Sequence, residues 1–146
     1  MAALVPELSV SDVRVSLRFW CGILGFSVLY DRPDEGFAYL TLGEAEVMLD
    51  EIGKGRSFDA LQPARDRPFG RGINLQIRVA SVTPVLQGLA AAAWPLFLPM
   101  EDRWYRRGNR VLGNRQFVVA DPDGYMLRLF EPVGQRSAAP LVSARA

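Results

Sequence analysis

Histidine is absent from the 146 residues, and Cys21 is the single cysteine. Without imidazole the chain lacks the commonest general base and the commonest metal ligand, which excludes Ser–His–Asp and Cys–His nucleophile systems and imidazole-based zinc sites. A lone cysteine excludes an intrachain disulfide. What remains able to do chemistry is a set of carboxylates, amides, arginines and aromatics spaced two residues apart along apolar runs. Val5, Glu7 and Ser9 form one such series. Glu46, Met48 and Asp50 form another, followed by Asn74, Gln76 and Arg78 and then by Met126, Arg128 and Phe130. A period of two is one face of a β-strand. Phe37 and Tyr39 share a face in the same way, and Trp104 stands in a polar stretch where a large aromatic calls for a partner. Aromatic and polar groups interleaved on one surface suit the non-covalent holding of a small molecule. Flat rings offer π-faces and desolvation, and a few polar groups set orientation. No residue is assigned a catalytic or a metal-binding role, and no cofactor is expected.

The elements that must carry these residues can be read along the chain. Residues 4–10 predict a strand. Ser11 reads as an N-cap, and Val13, Leu17, Trp20 and Leu24 recur at helical spacing, so a helix is expected over 11–24, stopped by Gly25. Residues 26–30 predict a short strand, 31–36 a turn, and 37–42 with 45–50 a hairpin around Gly43 and Glu44. Residues 51–71, rich in Gly, Pro and charge with Phe58, Leu61 and Phe69 as anchors, read as a long connection. The order then recurs: a strand over 73–79, a helix capped by Ser81 with Val82, Val85, Leu86, Leu89 and Ala93 as its buried stripe, and a short strand over 96–98. A loop follows over 99–114, bearing Trp104 and Tyr105, and then strands over 115–120 and 125–131 around the turn Asp121-Pro122-Asp123-Gly124.

The expected fold is therefore α+β: two paired βαβββ modules, about 4–50 and 72–131, forming a curved, mostly antiparallel sheet around a cavity with the helices outside. Residues 1–133 are expected to make one domain and 134–146 a disordered tail. Because the apolar face of each strand must pack on a helix, the polar–aromatic series line the cavity. With a net charge of +1 and 49% apolar residues, neither a nucleic-acid partner nor a membrane is expected. With no leader-like start, the cytoplasm is the expected location.

Two stretches also resemble a known family. Pro6-Glu7-Leu8-Ser9-Val10-Ser11-Asp12, continuing through Ser16-Leu17-Arg18-Phe19-Trp20 and Leu24-Gly25-Phe26, resembles the opening of glyoxalase and bleomycin-resistance proteins of the vicinal oxygen chelate superfamily. Asp121-Pro122-Asp123-Gly124-Tyr125 with Leu127-Arg128-Leu129-Phe130-Glu131 resembles their closing motif. Enzymes of that superfamily place His, Gln or Glu ligands for a divalent metal on the first, fourth, fifth and eighth strands. The corresponding places here hold Val5, Met48, Asn74 and Arg128, a poor ligand set. A register slip of one residue would bring in Glu7, Glu46 or Asp50 instead.

The resemblance thus points to the metal-free, drug-sequestering antibiotic-resistance branch. It implies a homodimer that holds a planar aromatic drug or metabolite, with Phe37 and Trp104 at the stacking positions and Tyr39, Glu7, Met48, Asp50, Asn74 and Arg128 around them. The alternative it leaves is a lyase- or dioxygenase-type enzyme acting on a small oxygenated substrate, and a third is a degenerate copy serving only as an interaction subunit.

Overall fold

A computed structural model describes residues 1–55 and 66–138. The first module runs β1 (Glu7–Val10), α1 (Val13–Trp20), β2 (Ser27–Arg32), one 3-10 turn (Pro33–Glu35), β3 (Phe37–Leu42) and β4 (Ala45–Glu51). The second runs β5 (Asn74–Arg78), α2 (Val82–Ala91), β6 (Leu98–Arg107), β7 (Arg110–Ala120) and β8 (Met126–Ser137). The expected α+β fold of paired βαβββ modules is present, and its strands divide into two four-stranded sheets of the same topology, β1-β4-β3-β2 and β5-β8-β7-β6. In each, the first strand pairs parallel to the last and the remaining pairs are antiparallel.

Burial follows the alternation. Leu8, Val10, Ala38, Leu40, Val47 and Leu49 of the first sheet and Ile77, Phe117, Val119, Leu127 and Leu129 of the second enter one continuous core with Phe19 and Trp20 of α1 and Val82, Val85 and Leu89 of α2. The modules meet through this core. Phe19 packs on Trp94 with ring centroids 4.9 Å apart, and the Trp20 indole donates to Asp121 at 3.1 Å. The odd-numbered residues of β1 and β3 and the even-numbered ones of β4, β5 and β8 are left on the opposite sheet faces.

Several boundaries differ from the sequence expectation. Asp12, not Ser11, caps α1, its carboxylate accepting from the backbone N–H of Arg14 and Val15. The Ser11 hydroxyl lies 2.6 Å from Asp123, 112 residues away, which a local reading could not see. The helix ends at Trp20, four residues early, because the chain turns to bury Leu24 and Phe26 against Trp20. In the second module Ala93 takes a positive φ of 52° beyond the end of α2 and leaves the predicted stripe.

The largest correction concerns the predicted loop over 99–114. It is a hairpin, β6 and β7, turning at Gly108 and Asn109. Between Glu101 and Asn114 charged and polar residues fall on both faces, so no apolar alternation marks this stretch. They are held instead by the ladder and by cross-strand pairs such as Asp102 with Arg115, at 2.8 and 3.1 Å. β8 likewise runs on to Ser137, paired with Arg110, through residues expected to be tail. Backbone hydrogen bonds to β7 hold it there despite a composition without apolar period. Of the long connection, Phe69 is buried and its N–H donates to the Asp123 carbonyl at 2.8 Å. The other expected anchors, Phe58 and Leu61, lie outside the described residues.

Candidate functional site

The first sheet carries an aromatic floor. Phe37 and Tyr39, expected to line the cavity, are 5% and 3% exposed. Tyr30 of β2 covers both: its ring stacks on Tyr39 at 5.1 Å and 22° and leans on Phe37 at 5.9 Å. The Arg32 guanidinium sits 3.9 Å over the Phe37 ring, a cation–π contact. The accessible aromatic on this face is therefore Tyr30, 41% exposed, which the sequence reading missed. Its alternation with Arg32 was the available signal. A register shift between Val28 and Tyr30 brings both onto the Phe37 face.

Polar groups edge this floor. Met48 pairs with both Tyr39 and Glu7, and Asp50 pairs with Phe37 and Ser9, so Glu7, Phe37, Tyr39, Met48 and Asp50 do share one surface. Tyr39 donates its hydroxyl to Glu46 at 2.9 Å, and Ala2 donates its N–H to the same carboxylate. Burial, reinforced by the Glu46 bond, pushes the Tyr39 phenol up, while the bond from Ala2 leads those that hold Glu46 below its ordinary value. Asp50 is pushed up by burial and by the negative charge of Glu7, against the pull of Arg32.

The second sheet carries a polar cluster. Arg128 lies between Gln76 of β5 and Val118 of β7. Tyr105 is on the same face: its hydroxyl accepts from Gln116 at 2.7 Å and is 3.5 Å from Arg128 Nη1. Tyr105 and Gln116 were not among the predicted site residues: the stretch that supplies Tyr105 was read as a loop, and Gln116, in a predicted strand, was given no role.

Trp104, one residue earlier, points to the other face of β6. There it lies across Gly113, where an added Cβ would sit 2.8 Å from the ring, and under the Arg136 guanidinium at 4.1 Å. Within one chain Trp104 is thus on the opposite side of its sheet from Arg128. Asn74 is exposed at the start of β5 and joins Glu46, Gln76, Pro6, Trp20 and Phe26 around a cleft of about 270 Å³ between the modules. Among the described residues no hydrogen bond or ion pair links Glu7, Met48 or Asp50 to Asn74 or Arg128.

The residues present do not fit a divalent metal. Val5 precedes β1, Met48 and Asn74 are weak donors for a hard cation, and Arg128 carries the wrong charge. Among the described residues no three His, Cys, Asp or Glu side chains converge on a point, which leaves Glu7, Glu46 and Asp50 short of a ligand set.

The closing motif has a structural task. Asp121 accepts from the Trp20 indole and from the backbone N–H of Asp123 and Tyr125, and burial pushes its carboxyl up to about 6. Asp123, fully buried, accepts from the Ser11 N–H and hydroxyl and from Arg67 at 3.0 Å. Tyr125 donates to the Ser9 carbonyl at 2.8 Å. The opening and closing motifs of the chain are bonded to each other.

Two repeated modules joined in this way, each presenting a sheet face away from its helix, define the glyoxalase-like architecture. The chain belongs to the Glyoxalase/Bleomycin resistance protein/Dioxygenase superfamily, whose pattern matches residues 3–129. Among characterised relatives it is 27% identical over 139 residues to the bleomycin resistance protein of Geobacillus stearothermophilus and equally to that of Staphylococcus aureus, a match spanning 88% of this chain and 96% of the relative. Its fold is similar to that of TioX from Micromonospora sp. ML1, with a TM-score of 0.68 at 20% identity over 90% of this chain and 98% of that one. It is also similar to that of lactoylglutathione lyase from Agrobacterium tumefaciens, with a TM-score of 0.58 at 17% identity over 90% and 94%. Among the described residues no helix is long and apolar enough to cross a membrane.

Proposed function

We propose that the protein is a metal-free binding protein that sequesters a small planar molecule by stoichiometric association, as a homodimer. The observation that carries this is the aromatic floor of Phe37 and Tyr39 under Tyr30 and Arg32, edged by Met48, Asp50 and Glu7, on a scaffold whose metal positions hold Val5, Met48, Asn74 and Arg128. A flat ring that displaces Arg32 or slides against Tyr30 exchanges water for π-faces, and the edging groups orient its substituents. The near full-length similarity to bleomycin resistance proteins supports a drug-directed role. A dimer accounts for Trp104: one chain keeps it away from Arg128, while a second copy can receive its face. It also accounts for the outer strands β2 and β6, whose free edges carry exposed Val28, Leu29, Leu98 and Met100.

The test is titration of the protein with planar ligands, bleomycin included, followed by tryptophan emission and calorimetry. Saturable binding at one ligand per chain is expected, weakened at least tenfold by Phe37→Ala, with the ligand recovered unchanged. Recovery of a chemically altered ligand, or no binding by any planar compound, overturns the proposal.

A further inference from the structure

The polar cluster on the second sheet is more than a wall, and its unspent hydrogen-bonding capacity describes what it would hold. Gln116 is 5% exposed, and its Nε2 is spent on the Tyr105 hydroxyl at 2.7 Å, with Glu101 at 3.4 Å. Its Oε1 is buried without a partner, and so is Nε of Arg128. Tyr105 accepts at its oxygen from Gln116 and faces Arg128 Nη1 at 3.5 Å, so its own proton is free to be donated. Leaving buried donors and acceptors unmade is costly, and such groups in a folded protein call for a partner. Three hydrogen-bonding capacities are therefore unmade in this cluster: the Arg128 Nε–H, the Tyr105 O–H and the Gln116 amide oxygen. Tyr105 and Arg128 are half-buried, so a solute meets the cluster at these two side chains, while Arg128 Nε and Gln116 Oε1 are themselves closed to solvent.

We propose that this cluster is a subsite for an anionic oxygen group, a carboxylate or its equivalent, that carries a hydroxyl or N–H donor on a neighbouring atom. The anion lies against the Arg128 guanidinium where Nη1 faces Tyr105 and accepts the Tyr105 proton, and a small side-chain adjustment lets the adjacent donor meet Gln116 Oε1. Arg128 and Tyr105 supply charge-assisted bonds, and Gln116 discriminates against acids without the donor. Arg78 and Arg103, exposed on the same face, add positive potential around the cluster against the single exposed carboxylate of Glu101. A cationic ligand group is repelled here. This deepens the planar-ligand reading and rests on it: the ligand of this chain is a planar acid.

The probes are 1-hydroxy-2-naphthoate, 2-naphthoate, 2-naphthol and 2-naphthamidine, titrated by calorimetry into the parent and into Arg128→Gln, Arg128→Lys, Tyr105→Phe and Phe37→Ala. The hydroxy acid is expected to bind at least tenfold more tightly than 2-naphthol, more tightly than the acid lacking the hydroxyl, and far more tightly than the amidine. Arg128→Gln should erase the advantage of the acid over the neutral ring. Arg128→Lys should restore part of it, and Tyr105→Phe should reduce it several-fold. Phe37→Ala should weaken all bound rings alike. Equal binding of acid and amidine, or an acid preference intact in Arg128→Gln, overturns the acid subsite while planar binding stands. Binding of none of the four rings overturns both.

Discussion

Asp121 shows how a single side chain in a recognisable motif can matter for stability rather than chemistry. Its carboxyl is 3% exposed and titrates near 6 in the folded chain against an ordinary 3.8, because burial outweighs the three hydrogen bonds it accepts. Between those values the folded state holds more protons than the unfolded one, so this group's contribution makes stability fall as pH rises from about 4 to about 6 and level off above. That difference corresponds to about 3 kcal/mol. Asp121→Asn should lack that slope. Urea unfolding at about pH 4.5 and about pH 7 should show a smaller loss between the two in the variant than in the parent, and parallel losses would contradict the assignment. The neighbouring Asp123 is bonded to Arg67 and accepts twice from Ser11. Neither contact could be inferred locally. Sequence alone offers Asp-Pro-Asp-Gly as a turn, and only the 112-residue closure to Ser11 makes it a clasp.

At the scale of elements, the β6–β7 hairpin decides which aromatic meets which face. Its register sets Trp104 opposite Gly113 and Tyr105 opposite Leu112, so neighbouring residues serve opposite sides of one sheet. Gly113 is the condition for this, because any side chain there collides with the Trp104 ring. Gly113→Val should expel the ring, shift part of the tryptophan emission to the red and raise its quenching by acrylamide. A stability loss of about 1–3 kcal/mol should accompany it. Trp20 is fully buried and Trp94 partly so, which leaves Trp104 as the source of the change. Unaltered emission in Gly113→Val would mean the ring does not rest there. The helices and the β3–β4 hairpin were legible because a helix stripe or strand alternation is a local period. The β6–β7 hairpin was not, because its stability comes from cross-strand partners such as Asp102 and Arg115, which no local period records.

At the scale of the whole molecule, one chain has a shared core between its modules and two sheet faces that do not bond to each other. The proposed dimer gives those faces neighbours and covers the outer edges of β2 and β6. Sedimentation equilibrium should therefore return twice the 16.2 kDa chain mass. Replacing exposed Leu98 and Met100 together by Lys should shift it toward the single-chain value while leaving the circular dichroism of the fold intact. A parent that sediments as one chain at micromolar concentration would remove the dimer and, with it, the account of Trp104.

The sequence by itself determined the repeat of modules and the apolar and polar faces of most strands, because periodicity and residue chemistry are properties of short stretches. Tertiary structure alone decided that Phe37 and Tyr39 lie beneath Tyr30 and Arg32, that Tyr105 rather than Trp104 joins Arg128, and that the two family motifs close on each other. Each of these depends on which strands become neighbours and in what register. A shift of one residue reverses every side chain on a strand, and that register is set by long-range burial and hydrogen bonding.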